Sequence, residues 1–598
     1  MNKVLFLLLS VGFACSVVAQ QDKRLKGIEP QLNKILAETK TAGFAVAIVE
    51  GDKIIYVKGF GYRDYENKIP VDANTLFAIG STTKAFTSAI LGQLNSENKL
   101  SLNDSPRKYI PELKFFNNNM NDNIIIKDLM SHRTGLPRHD YSWYLFPSAS
   151  KDSLMSRLEF QEPFTGIREK WYYNNFMFLL QGVIAERITG KSWEENIRER
   201  FFAPLGMTRS NVSIEEMKKS SNAAIGYDLD KESIIKSDYY DISGMSPAGS
   251  INSSVYDMSN WLITWINKGK FKGKEIIPAS YIDEAISSQM VTSGALPDKE
   301  FPDMFFSNYG YGWSLKSYKG HYRVSHGGNI DGFSADVTFY PSDNIGIVVL
   351  ANQNSSPTPG LVRNTISDYI LKVNKTDFLK LYTDQKAKNK KESEEVKKKT
   401  NDSKIANTKP SHILQDYTGK YTYAGYGDFT IVNKNDSLFA NFKFKKMYLK
   451  HLHYDVFEPF EVTKTGIDTS DSGELRFNFV TNDVGEISSL KTKIEPTLNA
   501  IEFVHKLNTI KISKEDLTKY VGEYELAGMT AKVYIKNEDK LCLFVEGQPE
   551  YELLATEKNK FSIKNLEGFK IEFIEEADKS IKSILFKQPN GTFTAKRK

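Results

Sequence analysis

The stretch Phe77-Ala-Ile-Gly-Ser-Thr-Thr-Lys84 closes a short apolar run and opens a helical pattern. Beyond it, Ala85, Phe86, Ala89, Ile90 and Leu94 recur at helical spacing, which predicts an amphipathic helix with one face in a core. Ser81 and Lys84, three apart at the helix start, share a face. A serine hydroxyl is a poor nucleophile near neutral pH and needs a base to take its proton. Lysine serves only when its amine is uncharged, a state favoured by burial or a nearby cation. The unpaired N–H groups of a helix start also favour negative charge developing on a carbonyl oxygen. The alternative is that Ser81 merely caps the helix.

Spacing alone does not single out Ser81, because Ser-x-x-Lys recurs at Ser105–Lys108, Ser148–Lys151, Ser233–Lys236 and Ser488–Lys491. Ser105 runs into Pro106, and Ser148 lies in a polar loop, whereas only Ser81 opens a core-directed helix. Two other clusters add weight. Trp171-Tyr-Tyr-Asn-Asn-Phe176 feeds an apolar helix over residues 177–188, so Tyr173 and Asn175 stand at a turn just before it. The alternative for Tyr173 is a packed ring whose hydroxyl finds a partner. Val324-Ser-His-Gly-Gly-Asn-Ile-Asp-Gly332 lies between strand-like runs at 322–325 and 335–340. Gly327 and Gly328 remove side chains where another backbone can approach. Taken singly, that segment reads as a hairpin whose glycines supply positive φ.

Together these segments resemble the class C β-lactamase and penicillin-binding serine hydrolase superfamily, which uses Ser-x-x-Lys. The resemblance runs from about residue 27 to 373. It includes two strand-like runs around Gly51-Asp52, Asp128-Leu-Met-Ser-His-Arg-Thr-Gly-Leu-Pro137, Ser246-Pro-Ala-Gly-Ser250 and Tyr256-Asp-Met258. It implies an acyl-enzyme on Ser81, proton transfer by Lys84 and Tyr173, and an Asn175 contact to the substrate amide. The Ser81 and Asn329 backbone N–H groups would form the oxyanion hole. The third motif, commonly Lys-Thr-Gly or Lys-Ser-Gly, here reads His326-Gly327-Gly328. An ordinary histidine titrates between about pH 5 and 8, so it grips a substrate carboxylate less firmly than lysine. The His-x-Gly variant is similar to that of D-aminopeptidases and some esterases.

Residues 4–18 form an apolar stretch after Met1-Asn-Lys3, read as a signal peptide cleaved after Ala19. Secretion or a periplasmic location follows. Lipoprotein anchoring through Cys15 is disfavoured by Gly12 three positions earlier. No later run reaches the ~18 apolar residues of a membrane span. After cleavage Cys542 alone remains, which excludes an intramolecular disulfide. Eight lysines between 386 and 404 stand against four carboxylates, a net +4 that nearly matches the chain's +5. This charged stretch reads as a solvated linker or exposed helix, and it lacks the interleaved aromatics of a nucleic-acid surface. No metal or cofactor is expected; His451-x-His453 has no carboxylate or Cys cluster beside it. His132 is expected to make a structural hydrogen bond.

An internal repeat lies beyond the linker. Leu414, Tyr417, Gly419, Tyr421 and Gly425 recur as Leu517, Tyr520, Gly522, Tyr524 and Gly528, each 103 residues on. Alternating runs around 429–432 and 531–535 predict two small antiparallel barrels. These resemble the lipocalin-like domains of some superfamily members, with two-barrel D-aminopeptidases the nearest architectural parallel. Their tyrosines are read as core filling rather than ligand-cavity lining. The barrels themselves would shield the cleft, narrow it with a loop, or hold a ligand.

The predicted organisation is a signal peptide (1–19), a serine hydrolase domain (22–373), a linker (374–410) and barrels at 411–505 and 510–598. The hydrolase domain is expected to be α/β (α+β), an antiparallel sheet carrying helices, with His326 on an edge strand. The predicted activity is cofactor-free acyl transfer to water, on small peptides or amides and D-amino-acid peptides in particular. A carboxylesterase or weak β-lactamase is the alternative within the fold; a cell-wall sensor that binds without turnover is the alternative outside it.

Overall fold

This computed structural model describes residues 22–598 except 402–403, 464–465, 468, 470–474, 507–508, 538 and 567. The predicted signal peptide and Cys15 lie outside the described residues. Two compact units emerge. The first holds the described residues up to Leu136 together with Ser148–Ser156 and Thr165–Glu392; the second holds Pro137–Pro147, Arg157–Phe164 and Ser393–Lys598.

The first unit is built on nine antiparallel strands. In chain order they are β1 (Gly43–Glu50), β2 (Lys53–Asp64), β3 (Ile69–Pro70), β4 (Met290–Ser293), β5 (Ser307–Tyr309), β6 (Ser314–Tyr318), β7 (His321–Ile330), β8 (Phe333–Tyr340) and β9 (Ile345–Ala351). Their order across the sheet is β4-β5-β6-β7-β8-β9-β1-β2-β3. β8 and β9 are buried along their whole length, the pattern of strands covered on both faces. On one face Leu32 and Ile35 of α1 (Ile28–Glu38) and Val362 and Ile366 of α5 (Thr358–Ile370) join Phe44, Val46, Ile48, Ile347 and Val349 in one core. Phe378 and Leu379, inside the predicted linker, belong to that core as well. They open a helix over Phe378–Asn401.

α2 (Thr83–Ser96) differs from its amphipathic reading, for Thr83 through Gly92 are all buried. Its polar side chains are satisfied inside. The Thr87 hydroxyl donates to the Pro247 carbonyl at 2.7 Å, and the Ser88 hydroxyl to Gln181 at 2.8 Å. The helix packs against α3 (Phe176–Thr189) and the turn Ser246–Gly249, and it meets α4 (Val255–Ile266) through Phe86. Phe86 stacks on Trp261 with ring centroids 3.7 Å apart.

β7 is not an edge strand, since β4, β5 and β6 lie beyond it. Its pairing with β6 stops at Ser314–Ser325, however, so from His326 onward it is paired only with β8. Nor do Gly327 and Gly328 form a hairpin turn. They lie inside the strand opposite Asp336 and Ala335, and the reversal falls at Gly332, which has φ +83.

The second unit contains two eight-stranded antiparallel barrels. One runs from Gly419–Tyr423 to Ile501–Lys506, closing through a Lys446–His453 to Val456–Thr463 pairing. The other runs from Gly522–Leu526 to Gly591–Arg597. The repeat is exact in its hydrogen bonding: Tyr421 donates to the Tyr417 carbonyl and Tyr524 to the Tyr520 carbonyl, both at 2.9 Å. All four tyrosines are buried, as core filling requires. The first barrel takes part of its core from outside residues 411–505. Leu145 and Phe146 join Tyr421, Phe429 and Phe503, and the Phe146 ring lies 5.9 Å from that of Phe503.

Candidate active site

Ser81 sits on a 3-10 turn, Gly80–Thr82, that leads directly into α2. It is not the residue capping that helix; Thr82 holds that position, with its hydroxyl donating to the Ile79 carbonyl. One turn on, Lys84 is fully buried, and its amine contacts three neutral oxygens. They are the Ser81 hydroxyl at 3.0 Å, the Asn175 side-chain oxygen at 2.7 Å and the Ala248 carbonyl at 2.8 Å. Two N–H groups suffice for Asn175 and Ala248. The same nitrogen lies within hydrogen-bond reach of Ser81, and when the amine is neutral its lone pair can take that hydroxyl's proton.

The turn before α3 supplies the second cluster. Asn175 stands at the helix start with its oxygen on Lys84, while the Tyr173 ring lies 4.8 Å from the Lys84 nitrogen. Tyr173 is held by the neighbouring loop. The His132 ring is 4.4 Å from it, and His132 Nδ1 accepts the Asn174 backbone N–H at 3.2 Å. His132 itself occupies a left-handed conformation with φ +55, a strain that its surroundings must hold in place. Asp128 anchors the adjoining residue, Arg133. This wholly buried carboxylate pairs with Arg133 and Arg168, each at 2.6 Å.

The third cluster is on β7. A Cβ added to Gly328 would fall 2.0 Å from the Ile79 carbonyl, and one added to Gly80 would fall 2.8 Å from the Asn329 nitrogen. Gly80 also has φ +50. These two glycines bring the β7 backbone against the Ser81 turn, so the Asn329 and Ser81 amides come from adjoining chain segments. Gly327 is different, because a Cβ there meets only an ordinary contact at 3.8 Å. The Asn329 side chain is structural: its oxygen accepts from Ser334 and from the Ser355 backbone. His326 is buried, its ring 6.3 Å from that of Tyr173. Burial, and then the Lys84 charge, push its imidazole down to about 3. It therefore does not titrate between pH 5 and 8, contrary to the expectation for an ordinary histidine.

All eight predicted site residues thus fall around Ser81 or on the strand packed against it. Sequence reading missed four contributors. Ala248 acts through its backbone carbonyl, which leaves no residue-type signature. Gly80 looked like part of an apolar run. Gly312, at φ +76, packs on the α2 backbone with its would-be Cβ 3.0 Å from the Ala85 nitrogen. Tyr309, whose hydroxyl meets His326 at 2.9 Å, lies with Gly312 in Asn308-Tyr-Gly-Tyr-Gly-Trp313. That alternation of aromatics and glycines was the available signal. Among the described residues no group of three or more His, Cys, Asp or Glu is placed to hold a metal ion, and no helix is long and apolar enough to cross a membrane.

The antiparallel sheet carrying helices, with the Ser81–Lys84 turn packed against β7, is the β-lactamase-like fold. The Beta-lactamase family model matches residues 28–371, and the chain belongs to that family. Residues 403–505, the first barrel, match a domain of unknown function, DUF3471. Protein flp of Staphylococcus aureus (strain NCTC 8325 / PS 47) is 29% identical over 332 residues, 54% of this chain and 62% of the relative. The chain thus spans about three fifths of such relatives. The Unguisins hydrolase ungD' of Aspergillus campestris is 28% identical over 412 residues, 65% of this chain and 74% of that protein. Among solved structures, the octameric penicillin-binding protein homologue from Pyrococcus abyssi is similar in fold, with TM-score 0.54 and 22% identity, covering 80% of this chain and 99% of that one.

Proposed function

We propose that this chain is a serine hydrolase that forms an acyl-enzyme on Ser81 and cleaves small amides or short peptides, D-amino-acid peptides among them. The carrying observation is the Lys84 amine lodged between Ser81, Asn175 and Ala248. In this reading neutral Lys84 takes the Ser81 proton as the oxygen attacks the substrate carbonyl. The Ser81 and Asn329 amides receive the charge on the carbonyl oxygen. The Lys84–Tyr173 pair returns a proton to the leaving amine, and water then attacks the acyl group by the reverse route. A positioned base of this kind is worth roughly 10²–10⁴-fold, and an oxyanion donor about 3 kcal/mol.

Short acyl esters form the second substrate class, because the same steps cleave an ester and the neutral His326 places no cation in the cleft to demand a carboxylate. A hydrolytic role also accords with a relative named as an unguisins hydrolase. The test is a panel of D- and L-aminoacyl anilides, short acyl esters and a chromogenic cephalosporin, run with wild type and Ser81→Ala. Turnover of D-aminoacyl anilides that vanishes in Ser81→Ala supports the reading. A single stoichiometric release without turnover would mark a receptor, and equal rates in both proteins would refute Ser81 as nucleophile.

A further inference from the structure

Tyr309 closes β5, in register with Ser314 of β6 and through it with Ser325 of β7. From there its hydroxyl meets His326 Nε2 at 2.9 Å, while His326 Nδ1 lies 2.6 Å from the Gly327 carbonyl. A carbonyl oxygen only accepts, so Nδ1 carries the ring hydrogen. In a neutral ring Nε2 is then an acceptor, and the Tyr309 hydroxyl donates to it. Both ring nitrogens are thereby committed within the protein.

We propose that Tyr309 is a positioning residue: by donating to Nε2 it locks His326 as a neutral ring with no N–H for the substrate, so the leaving-group side accepts uncharged groups over carboxylates. This rests on the hydrolase reading above and deepens it. Both partners are buried, Tyr309 at 1% and His326 at 6% exposure. The groups around the ring reinforce its neutrality. Burial disfavours a charged imidazole, and burial raises the Tyr309 hydroxyl well above its usual range, with Tyr173 adding to the effect. The remaining nearby rings, His132 and Trp171, lie 5.0 and 5.7 Å from Tyr309. Lysine at the third motif would offer three donors and a fixed charge; this pair offers neither.

The test has two readouts on the full chain. Long-range ¹H–¹⁵N NMR of the histidines, with His326→Gln assigning the signal, should show an Nδ1–H tautomer that stays uncharged down to pH 5. An Nε2–H tautomer, or protonation near pH 6, would overturn the proposal even if hydrolysis were robust. If no substrate turned over, the tautomer would still be readable, so failure of the hydrolase reading is separable. In the second readout Tyr309→Phe, which keeps the ring and the burial, removes the donor to Nε2, so an Nε2–H tautomer should appear and present an N–H to the substrate. The variant's preference for carboxylate-bearing over neutral leaving groups should then rise on the order of tenfold. A folded Tyr309→Phe protein with unchanged tautomer and ratio would contradict the proposal.

Discussion

Gly80 and Asn329 meet backbone to backbone, with 2.8 Å between an added Gly80 Cβ and the Asn329 nitrogen. No side chain fits between them, and Gly80 holds a left-handed φ of +50. Gly80→Ala should therefore shift Asn329 away from the Ser81 turn. The expected result is a kcat loss of about 10²-fold or more with a smaller change in KM. The left-handed alanine should cost ~1–2 kcal/mol of stability. Steady-state kinetics beside a denaturation curve separate the two effects.

Asp128 is buried beneath the loop that carries His132 and is shared by Arg133 and Arg168. Replacing it by Asn leaves two guanidinium groups facing a neutral amide. Because Arg168 is 44% exposed and Arg133 15%, the charges left behind keep some water, and the loss should be about 1–3 kcal/mol. Asp128→Asn should lower the denaturant midpoint accordingly. It should also slow turnover, because His132 would no longer be held against Tyr173.

Phe146 tests the first barrel. Its ring packs against Phe429, Phe442 and Phe503. Phe146→Ala should cost about 3–5 kcal/mol, the range for a buried phenylalanine, read as early unfolding of the second unit. A full-size loss would show that residues 137–147 complete this barrel; a loss under about 1 kcal/mol would show that they do not.

Glu495 gives a pH test in the same unit. Burial raises its carboxyl from 4.5 to about 7; the His139 backbone N–H and Arg138 oppose this, and Asp140 adds to it. The folded state thus keeps a proton that the unfolded state has lost. Its contribution is fully present below about 4.5 and is lost as pH rises through about 7. Glu495→Gln should match wild type near pH 4.5 and exceed it by ~1–3 kcal/mol at pH 8. Burial lowers nearby His139 to about 4, so its contribution runs the other way, lost as pH falls from 6.5. Thermal melts across pH on both proteins check the sign.

Much of this architecture was legible because it is written in residue types. Ser81, Lys84, Tyr173, Asn175 and the β7 glycines are chemical choices, and the 103-residue repeat is a spacing. What escaped was carried by backbone and by burial. Ala248 contributes a carbonyl that any residue could supply. The immersion of α2 was hidden because Thr87 and Ser88 look solvent-facing until their internal partners are known. His326 read as an ordinary titrating histidine, since only coordinates reveal Tyr309 and the depth of burial. Phe146 lies hundreds of residues from the barrel it helps fill, beyond the reach of any local pattern.

The central claim is that the buried Lys84 amine activates Ser81, and the rate of covalent capture tests it most directly. With a fluorophosphonate probe followed by peptide mass mapping, wild type should carry one adduct, on Ser81. Ser81→Ala should carry none, and Lys84→Ala should react roughly 10²-fold more slowly or worse. An adduct on another residue, or capture of Ser81 at an undiminished rate without Lys84, would contradict the account.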